Sequence, residues 1–321
     1  MQTIILHKAK YAAFLAVVCA LVLAALWGAG SCWTIYGLDT AVEEAPLNIP
    51  LVPEYYTDKD YGAVVLMYHH IVEDDDFATG QYEGNNAIIS LGQFEEEMAY
   101  LAAHGYQTFT MSEAAGMLYN ALPFPEKSVI ITFDDGYESN YLLAYPLLKK
   151  YELKATVAAV VVSTVQVESG ADQNIPHLTF AQMQEMQDSG LVEIGSHSYN
   201  GHGMIVTNAN GSQDKFFVSR MYLPEEGRKE TAAEYIERIT QDLRRSKDIL
   251  EGQLGAPVNY FAYPYGVVDS NVVNALNQNN FLVAVTTASG TINKNSDPFR
   301  LNRRNVDQNI SLSQFAALLN T

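Results

Sequence analysis

The sequence predicts an α/β fold in which helices surround a parallel sheet that curls into a closed or partly open barrel. Three observations predict this fold class. From residue 61 onward, short apolar runs alternate regularly with amphipathic runs of helical period. The run at residues 155–162 is almost wholly apolar, which is typical of a strand covered on both faces of a parallel sheet. Apolar residues make up 48% of the 321 residues, which is enough for a substantial core.

Apolar runs and helix caps give the expected order of the elements. Four candidate N-caps are each followed three residues later by Gln or Glu, and Gly255 ends the longest predicted helix. Residues 203–231 form a polar stretch too long for an ordinary connection, so we expect it to be functional or mobile. The candidate caps are Ser90, Thr110, Thr179 and Ser311, and further helices occupy residues 141–150 and begin near Asp269. The predicted strands are residues 63–68, 106–109, 129–133, 155–162, 192–195, 260–263 and 282–285.

The N-terminal region predicts a transmembrane helix. Residues 11–30 carry no charged side chain, and at about 1.5 Å per residue they just span a hydrocarbon core of about 30 Å. Lysines precede this segment and no Lys or Arg follows it until Lys59, so the positive-inside rule exports the rest of the chain. We therefore expect a cytoplasmic stub and membrane anchor at 1–32, a stalk at 33–60 and the functional domain at 61–321, in a single-pass protein of the cell membrane. The alternative is a cleaved signal peptide and a secreted protein.

The net charge indicates which partners the protein can bind, and the positions of the cysteines indicate whether disulfides stabilise it. The net charge is -18, from 37 acidic and 19 basic side chains. Nucleic acids and anionic membrane surfaces attract faces rich in Lys and Arg, so we expect no nucleic-acid partner, and a neutral or cationic partner fits better. Both cysteines, Cys19 and Cys32, lie in or beside the apolar segment, so disulfides do not stabilise the exported part.

Two adjacent carboxylates follow the predicted strand at 129–133. Parallel α/β folds place their chemistry at the carboxyl ends of strands, and Asp134 and Asp135 stand at such an end. Like charges at a buried strand end raise a pKa or require a cation. A divalent metal ion would resolve the conflict by binding one carboxylate and leaving the other as a base. The alternative is a solvated turn, since Asp-Asp-Gly is common in turns.

Two imidazoles follow the predicted strand at 192–195. His197 and His202 flank a predicted turn and can converge on one ion. With one carboxylate they would form a His₂-carboxylate site that leaves positions open for water and substrate. A structural or surface role for either histidine is the alternative.

Aromatic residues follow the predicted strand at 260–263. Tyr263, Pro264 and Tyr265 form either an ordinary aromatic turn or a pocket wall. In the second case a backbone N–H of this turn would point at a developing oxyanion.

Three of these segments resemble the successive motifs of the polysaccharide deacetylase family, the NodB-like group or carbohydrate esterase family four. They are residues 132–136 (TFDDG), 197–202 (HSYNGH) and 261–266 (FAYPYG), and the resemblance covers roughly residues 60 to 306. It implies a distorted (β/α) barrel as the catalytic domain and one divalent metal ion, most simply Zn²⁺, held by Asp135, His197 and His202. It also implies Asp134 as general base and the Tyr265 N–H as part of the oxyanion hole.

Departures from the family pattern indicate which branch of the family this sequence resembles. The second histidine stands five residues after the first, Ala262 occupies a position where the family often has Arg, and no histidine follows His202 to serve as the usual late acid. Residues 66–71 (LMYHHI) resemble the N-terminal motif of the poly-N-acetylglucosamine deacetylases, which implies His69 as the general acid.

The resemblance implies de-N-acetylation of an N-acetylglucosamine polysaccharide of the biofilm or the cell wall, with release of acetate. Departure of the amine requires an acid, because an amide anion is a very poor leaving group. An O-acetyl-polysaccharide esterase and a catalytically inactive glycan-binding member are the alternatives.

Overall fold

Among the residues that the structure describes, eight strands, all parallel, form the central sheet of the protein, for which we use a computed structural model. The structure describes residues 59, 61–171, 173–308 and 310–320. The predicted anchor and almost all of the predicted stalk lie outside these residues. None of the described helices is long and apolar enough to cross a membrane.

The strands, in chain order, are β1 (Ala63–Tyr68), β2 (His70–Val72), β3 (Ile88–Ser90), β4 (Gln107–Thr108), β5 (Ser128–Phe133), β6 (Ala155–Ala159), β7 (Val192–Ser196), β8 (Met204–Val206), β9 (Gln213–Lys215), β10 (Tyr222–Leu223), β11 (Arg228–Lys229), β12 (Tyr260–Ala262), β13 (Val283–Val285) and β14 (Arg304–Asn305). The helices are α1 (Asp74–Phe77), α2 (Leu91–Ala103), α3 (Met111–Tyr119), α4 (Tyr145–Tyr151), α5 (Val161–Glu168), α6 (Phe180–Asp188), α7 (Ala232–Leu254), α8 (Ser270–Gln278) and α9 (Leu312–Leu318), with a π-helical turn at Asn140–Ala144 and a 3₁₀ turn at Pro264–Gly266.

The order of the strands in the central sheet is β13-β12-β7-β6-β5-β1-β14, with β4 beside β5. The chain after β13 continues around this curled sheet, because Leu301 makes a parallel bridge to Val285 and β14 pairs with β1. Alternate residues of β1 enter two different apolar clusters, Val64 and Leu66 one, Ala63 and Val65 the other. Both faces of the sheet are therefore covered, and the α/β class predicted from the alternation of elements is confirmed.

Four helices start at the predicted caps. Thr110, Thr179 and Ser311 each form a complete capping box with the residue three positions on. Ser90 accepts a hydrogen bond from the Gln93 N–H at 3.2 Å, but the Gln93 side chain binds other groups, so that box is only half formed. The long helix α7 ends at Gly255 as predicted, with a left-handed φ of 63°.

One predicted strand boundary is wrong, and one predicted helix is less regular than expected. The apolar run at 155–162 is not one strand, because β6 ends at Ala159 and α5 begins at Val161. The amides of Val161 and Val162 donate to the carbonyls of Ser198 and Tyr199, at 3.0 and 2.9 Å, so tertiary contacts override the strand propensity of the valines. The predicted helix at 141–150 is also not uniform, because it starts as the π-helical turn.

The polar stretch at 203–231 folds into two small hairpins, β8–β9 and β10–β11. Arg238 of α7 supports it with an ion pair to Glu230, 2.7 Å from Nε to Oε1, and with hydrogen bonds to the carbonyls of Phe216 and Ser219. The stretch therefore has regular structure, while its functional role stays a prediction.

Candidate active site

The chemically active side chains lie at the carboxyl ends of neighbouring parallel strands. Asp134 and Asp135 follow β5, His197 follows β7, and His69 follows β1. The Asp134 amide donates to the Tyr68 carbonyl at 2.9 Å, which ties the ends of β1 and β5 together. Since parallel strands end at one rim, residues far apart in the sequence meet there.

Asp135, His197 and His202 form one group, and their candidate ligand atoms all lie within 4.8 Å of one another. The Oδ1 atom of Asp135 is 3.5 Å from the Nε2 atom of His197 and 3.3 Å from the Nε2 atom of His202. Asp135 has a left-handed φ of 70°, which bends the chain sharply at the end of β5. One carboxylate oxygen and two imidazole nitrogens thus face a common point.

This group fits a divalent metal ion. The Oδ1 atom of Asp135 is buried and accepts no hydrogen bond from the residues that the structure describes, which leaves it free to bind a cation. The Nδ1 atom of His197 lies 2.8 Å from the Ala262 carbonyl, so its Nε2 carries the lone pair toward Asp135. Burial lowers the pKa of His197, although Asp134 and Asp135 oppose this, and the neutral imidazole is the form that binds metals.

Asp134 differs from its neighbour because it is already paired. Its two oxygens accept from the Nη1 and Nη2 atoms of Arg303 at 2.7 Å each, and both side chains are almost fully buried. Burial by itself would raise the pKa of Asp134, but the charge of Arg303 lowers it well below its usual value, with help from His197. Asp134 is therefore a buried carboxylate that stays charged at neutral pH.

His69 lies beside this carboxylate. Its Nε2 atom is 3.9 Å from the Oδ2 atom of Asp134, and its side chain is 20% exposed, so it faces both the site and solvent. The Nδ2 group of Asn140 donates to the His69 carbonyl at 2.8 Å and fixes the backbone. His70 is engaged elsewhere, because its Nδ1 atom lies 2.8 Å from the hydroxyl of Ser139.

The aromatic turn after β12 divides into a buried part and an exposed part. Tyr263 is fully buried and its hydroxyl donates to the Phe299 carbonyl at 2.9 Å, and Pro264 is buried as well. Tyr265 has a left-handed φ of 60° and is 43% exposed, with its ring 5.0 Å from the ring of His202. Of the three residues, Tyr265 is the one that borders the candidate metal group. Their roles toward a substrate stay predictions.

Sequence reasoning missed Arg303 and Tyr137. Arg303 stands far from every motif and shows no local pattern. Tyr137 follows the Asp-Asp-Gly turn, and its ring lies between those of His70 and His177, at 5.0 and 4.9 Å. Burial and then Asp135 raise the pKa of Tyr137, so its hydroxyl stays protonated beside that carboxylate.

Comparisons with known proteins identify relatives of this chain. The family model described as polysaccharide deacetylase matches residues 121–284, just over half of the chain. The poly-beta-1,6-N-acetyl-D-glucosamine N-deacetylase of Escherichia coli K12 is 31% identical over 265 residues, 79% of this chain but only 38% of that protein. The protein of the same name from Staphylococcus epidermidis is 26% identical, with 75% of this chain and 78% of the relative aligned.

A solved structure, the de-N-acetylase from Aggregatibacter actinomycetemcomitans, has a TM-score of 0.70 at 28% identity, and the match covers 80% of this chain and 99% of that one. The resemblance inferred from the three motifs is thereby confirmed, because family model, relatives and fold agree. The chain belongs to the polysaccharide deacetylase family.

Proposed function

We propose that this protein is a metal-dependent hydrolase that removes acetyl groups from the N-acetylglucosamine units of a polysaccharide. The observation that carries the proposal is the convergence of Asp135, His197 and His202 next to the charged Asp134. The names of the relatives support an amide rather than an ester as the bond that is cleaved. They also support poly-β-1,6-N-acetylglucosamine as the polymer.

In this proposal Asp135, His197 and His202 hold one divalent ion, and the mixed N and O donor set suits zinc. A bound ion would act as a Lewis acid and lower the pKa of a bound water from 15.7 to about 7. A more acidic water is needed because Asp134, whose pKa is held low by Arg303, is a weak base. Asp134 then accepts a proton from water, whose oxygen bonds to the acetyl carbon, and the two Arg303 hydrogen bonds keep the carboxylate oriented.

His69 protonates the departing amine in this scheme. Its Nε2 atom lies 3.9 Å from the Asp134 carboxylate, so the acid and the base border the same position of the site. The partial exposure of the His69 side chain gives it access to a substrate that enters from solvent. The backbone N–H of Tyr265 stabilises the oxyanion of the tetrahedral intermediate.

We also propose that the apolar segment at residues 11–30 anchors the protein in the cell membrane, with the catalytic domain outside the cytoplasm. The lysines before the segment and the lack of Lys and Arg after it support this orientation. Protease treatment of intact cells tests it, since an exported domain is digested without lysis.

Acetate release tests the proposed activity. The purified full-length protein with added Zn²⁺ should release acetate from β-1,6-linked N-acetylglucosamine oligomers faster than from chitin oligomers and from acetylated xylan. Faster release from xylan would identify an O-acetyl esterase instead. Binding of the oligomers without acetate release would identify an inactive glycan-binding protein.

A further inference from the structure

We propose that Asp242 of helix α7 is a positioning residue for the metal site, because its carboxylate binds the loop that carries both histidines. We call residues 197–202 the histidine loop. The inference rests on the proposed function and adds to it a residue outside the matched motifs that would set metal affinity.

The carboxylate of Asp242 binds two consecutive amides of the histidine loop. Its Oδ1 atom accepts from the Tyr199 N–H at 2.9 Å and its Oδ2 atom from the Asn200 N–H at 2.8 Å. Both oxygens are used, one for each amide. A neighbouring contact joins strand β7 to the same helix, through a hydrogen bond of 2.8 Å between the hydroxyls of Ser196 and Ser246.

The opposite side of the histidine loop is bound by helix α5. The amides of Val161 and Val162 donate to the carbonyls of Ser198 and Tyr199, at 3.0 and 2.9 Å. The peptide groups around Tyr199 are therefore held from both sides, by amides of one helix and by the carboxylate of another.

The histidine loop needs such support because its backbone is strained. Ser198 has a φ of 119°, a region that a residue with a side chain adopts only at a cost. Gly201 is packed so tightly that a Cβ atom there would lie 2.6 Å from the Phe217 ring. A loop in this conformation relaxes when an anchor is lost, and His197 and His202 stand at its two ends.

The charge of Asp242 suits the role. The side chain is buried, and burial raises its pKa to about 6, while the amides of Asn200 and Tyr199 oppose the rise. The carboxylate is thus mostly ionised at neutral pH and accepts both hydrogen bonds in their stronger, charge-assisted form. An asparagine has only one acceptor oxygen, so it would turn an NH₂ group toward one of the two amides.

Asp242 is not part of the candidate metal group, so its effect would pass through the orientation of His197 and His202. Residues that orient metal ligands in this indirect way typically change metal affinity or activity by about 10–100-fold when they are replaced. We expect an effect of this size from Asp242→Asn.

The test is the affinity of the full-length protein for Zn²⁺, measured by competition with a chromogenic chelator after removal of bound metal. Asp242→Asn should weaken Zn²⁺ binding by about 10–100-fold while keeping a cooperative unfolding transition. Its rate of acetate release should recover toward the wild-type rate as Zn²⁺ is raised. Asp248→Asn is the matched control, because this residue lies on the same helix with its side chain 66% exposed, and its affinity should equal that of the wild type.

Folded Asp242→Asn protein with wild-type Zn²⁺ affinity would overturn the proposal, even if its unfolding temperature were lower, because Asp242 would then only stabilise the fold. If this variant does not fold, Asp242→Glu decides, since the displaced carboxylate must also weaken Zn²⁺ binding. If the wild type binds Zn²⁺ and neither variant binds it more weakly, the role of Asp242 is refuted while the proposed function stands. A wild-type protein that neither binds Zn²⁺ nor releases acetate refutes the proposed function itself.

Discussion

Replacing Arg303 by Met should destabilise the protein strongly and reverse the pH dependence that Asp134 gives to its stability. Arg303 is almost fully buried, and both Asp134 oxygens depend on it. The same guanidinium also donates to the Thr286 carbonyl at 2.9 Å and to the Thr132 hydroxyl at 3.2 Å. Methionine fills a similar length of space but offers no donor and no charge.

The magnitude follows from the burial of the pair. Removing one partner of a buried ion pair costs about 3–5 kcal/mol, mainly because the other charge is left without compensation. In this case the remaining charge is the Asp134 carboxylate, whose only ion pair with an Arg or Lys among the described residues is the one with Arg303. We therefore expect a loss of about 3–5 kcal/mol in the free energy of unfolding at pH 8.

The sign of the pH dependence follows from the pKa of Asp134. In the wild type this pKa is lowered, so the carboxylate stabilises the fold above its unfolded pKa of about 4 and loses this effect as the pH falls. Without Arg303, burial dominates and raises the pKa. The stabilising form is then the protonated one, and its contribution is lost as the pH rises. The loss in free energy of unfolding of Arg303→Met relative to the wild type should consequently be smaller at pH 5 than at pH 8.

Urea unfolding of the wild type and of Arg303→Met at pH 5 and pH 8 measures both effects. Adding Asp134→Asn to Arg303→Met should restore most of the loss at pH 8, because the unpaired charge is then gone. Arg244→Met is the control, since its side chain is 73% exposed and its replacement should change stability by no more than about 0.5 kcal/mol. A deficit of Arg303→Met below about 1 kcal/mol, or one that Asp134→Asn does not relieve, would refute the reasoning.

Three further predictions concern the proposed mechanism and a second buried acid. His69→Ala should lower acetate release from N-acetylglucosamine oligomers by about 10²–10⁴-fold but affect an activated ester, 4-nitrophenyl acetate, far less. Asp135→Asn should lose bound Zn²⁺, whereas Asp134→Asn should keep it and lose at least about 10²-fold in rate, as elemental analysis and acetate assays would measure. Burial raises the pKa of Glu97 to about 7, so its stabilising protonated form is lost as the pH rises. As the pH is raised from 5 to 8, the free energy of unfolding of Glu97→Gln should therefore rise by roughly 2–3 kcal/mol relative to that of the wild type, as measured by urea unfolding.

Each of these predictions has an outcome that contradicts it. Equal losses of His69→Ala on the amide and on the ester would remove the acid from the mechanism. Release of Zn²⁺ by Asp134→Asn, with metal retained by Asp135→Asn, would exchange the roles of the two aspartates. A Glu97→Gln variant that tracks the wild type at every pH would mean that Glu97 stays ionised in the fold.

The sequence predicts those parts of the fold that depend on local chemistry. Capping boxes at Thr110, Thr179 and Ser311 need only residues within one helical turn, and the structure has all three. The end of β6 depends instead on contacts that Val161 makes with the histidine loop, far away in the sequence. The spacing of apolar residues along the sequence carries no information about such contacts, so the predicted strand is too long.

The candidate site divides in the same way. Asp134 and Asp135 can be found because two adjacent carboxylates at a buried strand end raise a pKa or require a cation, and the histidines because two of them share one strand end. Their meeting at one rim follows from the parallel sheet. Asp242 carries no such signal, because on an amphipathic helix a buried aspartate has the appearance of a polar residue that faces solvent.

Arg303 shows how the far end of the chain takes part in the site. The family often has an arginine at the position of Ala262 in this chain. The contact of Ala262 with the site is the hydrogen bond that its carbonyl accepts from His197. The arginine that binds Asp134 stands between Leu301, which bridges to Val285 of β13, and β14, which pairs with β1. The segment that connects the two ends of the curled sheet thus also delivers the positive charge to the buried carboxylate. Loss of that segment, as in a chain truncated after residue 300, should therefore leave Asp134 unpaired. Such a chain should fail in stability as well as in catalysis, which urea unfolding and acetate release would both detect.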